Sequence, residues 1–420
     1  MRILLLIFIL GYELFAFDST IEIVKQIEKA PKIVVADAST MVDQRLNRKF
    51  LKLLVGDLKV SAHFDIEKEY IKMGYEDESG YSALANEGKE LLAKVKLEEQ
   101  AGKLLASVKL INLKNGMTLY EKFYSITRPK RYPFLAHNAA IDINKYVGAP
   151  SIAWMRKYIL FAKYTASGKA NIVVSDYTLS FQKTVVRGGL NVFPKWADEK
   201  QTSFYYTSYN GYLPTLYKVN IFTGAKRKIA SSPGMIVCSD VSEDGRKLLL
   251  TMAPSDQPDI YLYDLASGTK KRLTRYGGID VGGQFVDHDK RFVFISERLG
   301  YPNVFSKPIS GGSVEQMIYH GRNNSSCTSF GKYIVYSSRE GKSALGDYIF
   351  NLYLISTQTD FIRKLTTNGK NMFPRFGEDA DTVLFIKYVG NESSLGVLRL
   401  NENRSFLFPL RVGKIQSIDW

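Results

Sequence analysis

From Trp196 onward one pattern keeps returning: a Pro or small residue, an apolar or aromatic anchor, an acidic turn, then a β-rich run. The anchors are Trp196, Val241, Phe285, Phe330, Phe376 and Trp420, spaced 45, 44, 45, 46 and 44 residues apart. Leucine-rich, ankyrin and tetratricopeptide units are shorter, so this period points to four-stranded propeller blades. A polar turn follows the anchor, as in Ser242-Glu243-Asp244-Gly245 or Asp287-His288-Asp289-Lys290, and then an alternating strand such as Lys247 to Thr251 or Arg291 to Ser296. Turn and strand make the first hairpin of a blade. A third run, for instance Ile260 to Leu265, precedes a basic fourth in Lys226-Arg227-Lys228, Lys270-Lys271-Arg272 and Arg363-Lys364. Lys and Arg on an outermost strand protect its open edge from pairing.

Five full periods close a ring only if both ends cooperate. Trp420 falls in the innermost-strand register of a sixth unit whose other strands are found upstream, at Lys157 to Tyr164, Asn171 to Asp176 and Thr184 to Arg187. The expected fold is therefore a six-bladed all-β propeller over residues 149–420, closed by pairing the last strand with the first, which leaves only short edges. Cys238 and Cys327 each lie three residues before an anchor, two blades apart. That places them beyond the roughly 7 Å Cα separation a disulfide tolerates, so two free buried thiols are expected.

Residues 27–148 carry α/β alternation instead of the repeat. Lys32 to Ala36 reads as a buried strand, Val42 to Leu54 as an amphipathic helix, and Phe64 to Ile66 as a short strand. Leu91 to Leu97, Leu104 to Asn112 and Met117 to Ile126 alternate as three strands joined by turns, and Pro133 to Tyr146 reads as a helix ending before Gly148. The whole chain is thus an α+β multidomain protein, with an α/β domain preceding an all-β one.

Ahead of that domain, Arg2, the apolar run Ile3 to Leu10 and Leu14-Phe15-Ala16 read as an export signal over residues 1–16, cut near Ala16. The run is far short of the roughly 20 residues that a spanning helix needs. Residues 17–26 then form a short β-prone arm, suited to adding a strand to a partner's sheet.

The chain has 57 Lys and Arg against 42 Asp and Glu, a net charge of +15, which raises nucleic acid, a membrane or a polyanionic glycan as partners. Residues 17–148 hold only +3 of it and residues 149–420 hold +12, spread through the repeats rather than gathered in one arm. The basic runs come without an aromatic stacking series, so nucleic acid is not expected.

No G-x-S-x-G, H-E-x-x-H, Walker or G-x-G-x-x-G motif occurs in the chain. His63, His137, His288 and His320 have no metal-ligand spacing and read as isolated surface or turn histidines. The carboxylates recur in every repeat, as turn chemistry does. Neither catalysis nor a metal or other cofactor is expected.

The signal, the arm, the α/β domain and a six-fold repeat reading Phe193-Pro194-Lys195-Trp196 and Phe373-Pro374-Arg375-Phe376 together resemble the TolB family of the Tol-Pal envelope system. So do Leu216-Tyr217-Lys218-Val219, Ile260-Tyr261-Leu262-Tyr263-Asp264-Leu265, and the blade ends Lys271-Arg272-Leu273-Thr274 and Lys364-Leu365-Thr366. The resemblance covers essentially the whole chain and implies a monomeric, non-catalytic periplasmic adaptor, attached to membranes only through its partners. That role supports outer-membrane integrity, envelope constriction at cell division and protein import. It puts binding of the inner-membrane protein TolA on the arm, Asp18, Ser19, Thr20, Ile21, Glu22, Ile23 and Val24. It puts the outer-membrane lipoprotein Pal on the loops entering the innermost strands, around Asn191, Gly234, Met235, Asp280, Asn323, Asn324 and Met372. An arm coupled to the mouth would let each partner change affinity for the other. The alternative is an exported propeller enzyme or lectin acting on envelope glycans, since fold alone does not fix function.

Overall fold

The computed structural model describes residues 30–67, 70–343 and 346–420. The export signal and the arm therefore lie outside the described residues.

In the first domain β1 (Lys32–Asp37) is a buried strand that pairs in parallel with β2 (Asp65–Ile66), β3 (Ile71–Lys72) and β4 (Leu91–Gln100). β5 (Lys103–Asn112) and β6 (Met117–Ile126) continue the sheet as an antiparallel meander. Two helices, α1 (Gln44–Ser61) and, numbered after the short α2 (Tyr81–Asn86), α3 (Tyr132–Tyr146), cover one face. α1 begins where the Asp43 carboxylate accepts the Leu46 backbone N–H at 2.9 Å, satisfying one of the orphan donors of a helix start. It runs past Leu54, the expected end, because Leu58 is buried against the sheet and Asp57 against the propeller. The short pieces β3 and α2 have no counterpart in the sequence reading. α2 seats Tyr81 and Leu84 on the second face of the sheet.

The propeller has six blades, whose innermost strands are Lys414–Asp419, Asn191–Trp196, Ile236–Val241, Asp280–Val286, Arg322–Phe330 and Lys370–Phe376. They are numbered here as blades one to six. Blades one to four are separate four-stranded sheets, while a single bridge from Phe350 to Lys370 joins blades five and six into one. Every innermost strand carries a register shift against its neighbour. In blades two and six that shift explains the Pro of the repeat. Phe193 and Phe373 adopt φ of 53° and 55° there, and Pro194 and Pro374 follow inside the shift, where no ladder donor is required. The anchors sit at or beside the ends of the innermost strands and pack between blades, as Trp196 does with Phe204 and Leu160.

Closure follows the expected route. Lys414–Asp419 pairs antiparallel with Ile159–Ala166, so the last strand completes the first blade. Gly413 turns the chain into it at φ 86°, and a Cβ there would lie 2.5 Å from the Tyr164 carbonyl oxygen. Gly413→Ala is therefore expected to cost about 1–3 kcal/mol, through left-handed backbone strain and this contact, seen as a lower urea midpoint. Both cysteines are free and buried, and burial pushes the Cys327 thiol up to about 12.

The two domains meet through buried polar clusters, and here the histidine reading needs correction. His288 is a turn residue and His320 is exposed, but His63 and His137 are buried at the domain junction. His137 on α3 faces Asp57 of α1 with Nδ1 at 2.8 Å and Asp176 of blade one with Nε2 at 3.4 Å. Tyr177 donates its hydroxyl to the other oxygen of Asp57. Burial alone would depress the His137 pKa, but the two carboxylates outweigh it and raise the imidazole to about 9. In the second cluster Arg399 of blade six pairs with Asp381 at 2.6 Å and donates to the Ser61 carbonyl at 3.1 Å. It thereby satisfies an orphan acceptor at the negative end of α1.

Candidate functional site

Because successive strands of a blade alternate in direction, the loops entering the innermost strands share one end of the propeller with the turns between second and third strands. The hydrogen bonds confirm this pairing of loops: Asn210 donates to the Gly188 carbonyl, and Asn371 to the Phe350 and Asn368 carbonyls.

The expected mouth residues fall in this ring, but they divide into two kinds. Asn191, Asp280, Asn324 and Met372 are buried. The Asn191 amide donates to the Gly188 carbonyl at 2.6 Å, the Asn324 amide to Asn303 Oδ1 at 2.9 Å and the His320 carbonyl at 3.1 Å, and Asp280 receives Arg298 at 3.2 Å. Met372 receives the Ser337 hydroxyl on its sulfur. These side chains tie entry loops to their blades. Gly234, Met235 and Asn323 are only half-buried and reach the mouth surface. Gly234 has no room for a side chain, since a Cβ would stand 2.1 Å from the Ala253 carbonyl oxygen, and Asn323 takes the left-handed conformation at φ 65°.

What the sequence reading missed is the rim. Arg298, Arg322, Arg339, Lys342, Lys370 and Lys414 all stand at this end, from blade four round to blade one, and all lie over aromatic rings. Arg339 and Lys342 sit 5.0 and 5.1 Å from the Tyr348 centroid, Lys370 is 5.6 Å from Phe350, and Lys414 is 5.2 Å from Tyr388. Arg322 lies 5.9 Å from Tyr301 and Arg298 5.3 Å from Tyr276. Tyr212 and Tyr319, fully and mostly exposed, project from loops of the same end. The nearby Glu340 is spent inside its blade: burial opposes its ionisation, yet hydrogen bonds from Lys364, Tyr353 and Asn351 outweigh that and hold its carboxyl below the usual range.

The opposite mouth is a funnel of about 1110 Å³ ringed by the first hairpin turns, among them Asp198, Glu199, Glu243, Asp244, Asp287 and Asp289. Beside it a cleft of about 590 Å³ between the domains is lined by Ala30, His63, Trp154, Glu378, Arg399 and Glu402. Ala30, the first described residue, is among this lining. Among the described residues no three His, Cys, Asp or Glu side chains gather as metal ligands, and no helix is long and apolar enough to cross a membrane.

Comparison with known proteins matches residues 19–119 to the TolB amino-terminal domain and residues 151–420 to the TolB beta propeller domain. The chain is 50% identical over 423 residues to the Tol-Pal system protein TolB of Wolinella succinogenes, covering 100% of both chains. It is 44% identical to that of Campylobacter jejuni, covering 97% of this chain and 96% of the relative. The crystal structure of TolB from Acinetobacter baumannii superposes with a TM-score of 0.74 at 19% identity, over 93% of this chain and 96% of that one, so the fold is shared. With a family domain covering more than half its length and relatives this similar from end to end, the chain belongs to the TolB family.

Proposed function

We propose that this chain is a non-catalytic periplasmic adaptor of the Tol-Pal system that docks a Pal-like lipoprotein at the mouth entered by the innermost strands. A TolA-like protein is bound through the arm, Asp18 to Val24. The observation that carries the reading is the build of that mouth. Four of the six entry loops, those of blades two, four, five and six, are clamped to their blades by buried Asn, Asp and Met side chains, and the mouth they frame is preformed for a rounded protein surface. The α/β domain stands at the other end, where Ala30, the first described residue, lines the cleft between the domains.

Calorimetric titration of residues 17–420 with the soluble domain of the Pal-like lipoprotein from the same organism tests this. Micromolar or tighter binding is expected. It should weaken more than tenfold on Met235→Glu, which places a carboxylate on the half-buried mouth surface, and should change when residues 17–25 are deleted, as coupling of arm and mouth requires. The same deletion is expected to remove binding to the TolA-like protein. Failure of the wild-type chain to bind the lipoprotein domain would overturn the reading.

A further inference from the structure

Charge on this propeller is sorted by end, which the net charge of +12 over residues 149–420 conceals. At the entry-loop mouth, Arg298 alone of the six rim cations has a carboxylate partner, Asp280. Arg322, Arg339, Lys342, Lys370 and Lys414 make no ion pair among the described residues. Their aromatic platforms hold the charged heads in place without neutralising them. At the other mouth the described residues lining the funnel include nine carboxylates, Asp198, Glu199, Glu243, Asp244, Asp287 and Asp289 of the hairpin turns among them, against four cations, Lys157, Lys195, Lys200 and Arg291. The two openings thus differ in the charge they carry, unpaired cations at one and an excess of carboxylates at the other, and a charged body approaching the propeller is turned toward one of them.

We infer that the surface docked at the entry-loop mouth is an acidic protein surface, steered there by these cations. This rests on the reading that a Pal-like lipoprotein binds at that mouth. An acidic protein fits better than an anionic strand. The cations follow an arc over four of the six blades rather than a line, and the rings beneath them are already covered by the chain's own cations, so they cannot stack on bases or sugars. The exposed tyrosines Tyr212 and Tyr319 supply the rigid apolar contact that charge alone does not. Steering acts before contact, so its signature lies in the association rate rather than in residence time.

The test is stopped-flow association of residues 17–420 with the lipoprotein's soluble domain across ionic strength. Salt is raised from about 0.01 M to about 1 M, which shrinks the screening length from ~30 Å to ~3 Å. Three variants accompany the wild-type chain: Arg322→Gln with Arg339→Gln, Lys342→Gln and Lys370→Gln; the same four positions changed to Glu; and Glu243→Gln with Asp244→Asn and Asp287→Asn at the funnel. All four rim positions are exposed, so the neutral variant retains the fold. The wild-type rate is expected to fall roughly tenfold or more with salt. The neutral rim variant should start slow and respond weakly to salt, the reversed one should be slower still, and the funnel variant should match wild type. Dissociation rates should change far less than association rates. Binding that is salt-insensitive, or equal in the wild-type and rim variants, would overturn the inference while leaving the adaptor reading intact. Loss of binding to an anionic polysaccharide in the rim variants, with lipoprotein association unchanged, would overturn it in favour of a glycan. No association by the wild-type chain at any salt would overturn both.

Discussion

Deletion of residues 414–420 is expected to abolish folding of the propeller, leaving only the α/β domain's helical signal in far-ultraviolet circular dichroism. The deleted strand is the innermost of blade one, and Ile415 and Ile418 on it are 1% and 2% exposed. Truncating one such buried aliphatic costs about 2–5 kcal/mol. The strand also carries Asp419, which accepts the Trp196 backbone N–H at 2.8 Å and faces the Lys195 ammonium at 3.1 Å. Burial would depress Lys195, but Asp419 and Asp240 outweigh it and hold the ammonium charged. Losing Asp419 strips away half of that compensation, and an uncompensated buried charge costs about 3–5 kcal/mol. Together these losses match or exceed the roughly 5–15 kcal/mol by which whole domains are stable. All three tryptophans stand at this seam: Trp154 and Trp420 lie 5.8 Å apart, Trp420 donates to the Phe376 carbonyl at 2.8 Å, and Trp196 follows Lys195. Fluorescence of the remaining Trp154 and Trp196 should shift to that of solvated indole. A truncated chain with buried tryptophan emission and a cooperative melt near that of the full chain would show that the last strand is not the closure. The single change Asp419→Ala grades the effect, with about 3–5 kcal/mol expected.

Closure was legible in the sequence because the repeat states it: Trp420 sits one period after Phe376, and the strands that complete its blade lie at the other end of the propeller. Hydrophobic alternation marked β4, β5 and β6 to within a few residues, since each is a long strand with one face on the helices. β3 and α2 are too short for any period to register. The buried histidines were hidden for a different reason. His137 finds its partner Asp57 across 80 residues and Asp176 in another domain, and no spacing encodes a contact made by docking two domains. The mouth was half legible. Repeat phase located the entry loops, and the recurrence of Asn191, Asp280, Asn324 and Asn371 at strand starts could have been read as a set of buried clamps, because only a satisfied polar group survives burial at that density. Lys370 and Lys414 share a repeat position, each opening an innermost strand, but the other rim cations escaped phase. Their loops differ in length, with the Arg339 to Tyr348 hairpin reaching well beyond its equivalents, so charges adjacent in space are scattered in sequence.

The domain junction yields the second large effect. His137, Asp57, Asp176 and Tyr177 are all fully buried, and Asp176 is further fixed by the backbone N–H of Thr178 at 2.9 Å. Aromatic rings pack round them, Phe134 on His137 and Trp154 and Phe408 on Tyr177, while the Thr178 hydroxyl and the Phe181 N–H also donate to Asp176 and the Arg399 charge reaches Tyr177. His137 titrates near 9 in the folded protein and near 6.5 unfolded, so its contribution is complete below pH 6.5 and is lost as pH rises through 9. Asp57 acts in the same sense: burial raises its carboxyl above the ordinary value despite His137 and Tyr177, so it too binds its proton more tightly when folded. The folded state therefore takes up protons at this junction, and its urea midpoint is expected to fall between pH 6.5 and pH 9.5. His137→Gln leaves two buried carboxylates without their cation and is expected to cost about 3–5 kcal/mol at pH 6.5. It should also flatten the slope across that range, whereas His288→Gln, at an exposed turn, should change neither. A His137→Gln chain that keeps the wild-type midpoint and slope would mean the junction is held by its apolar contacts, chiefly Val60, Ile141 and Trp154. The imidazolium would then be a passenger between domains that dock without it.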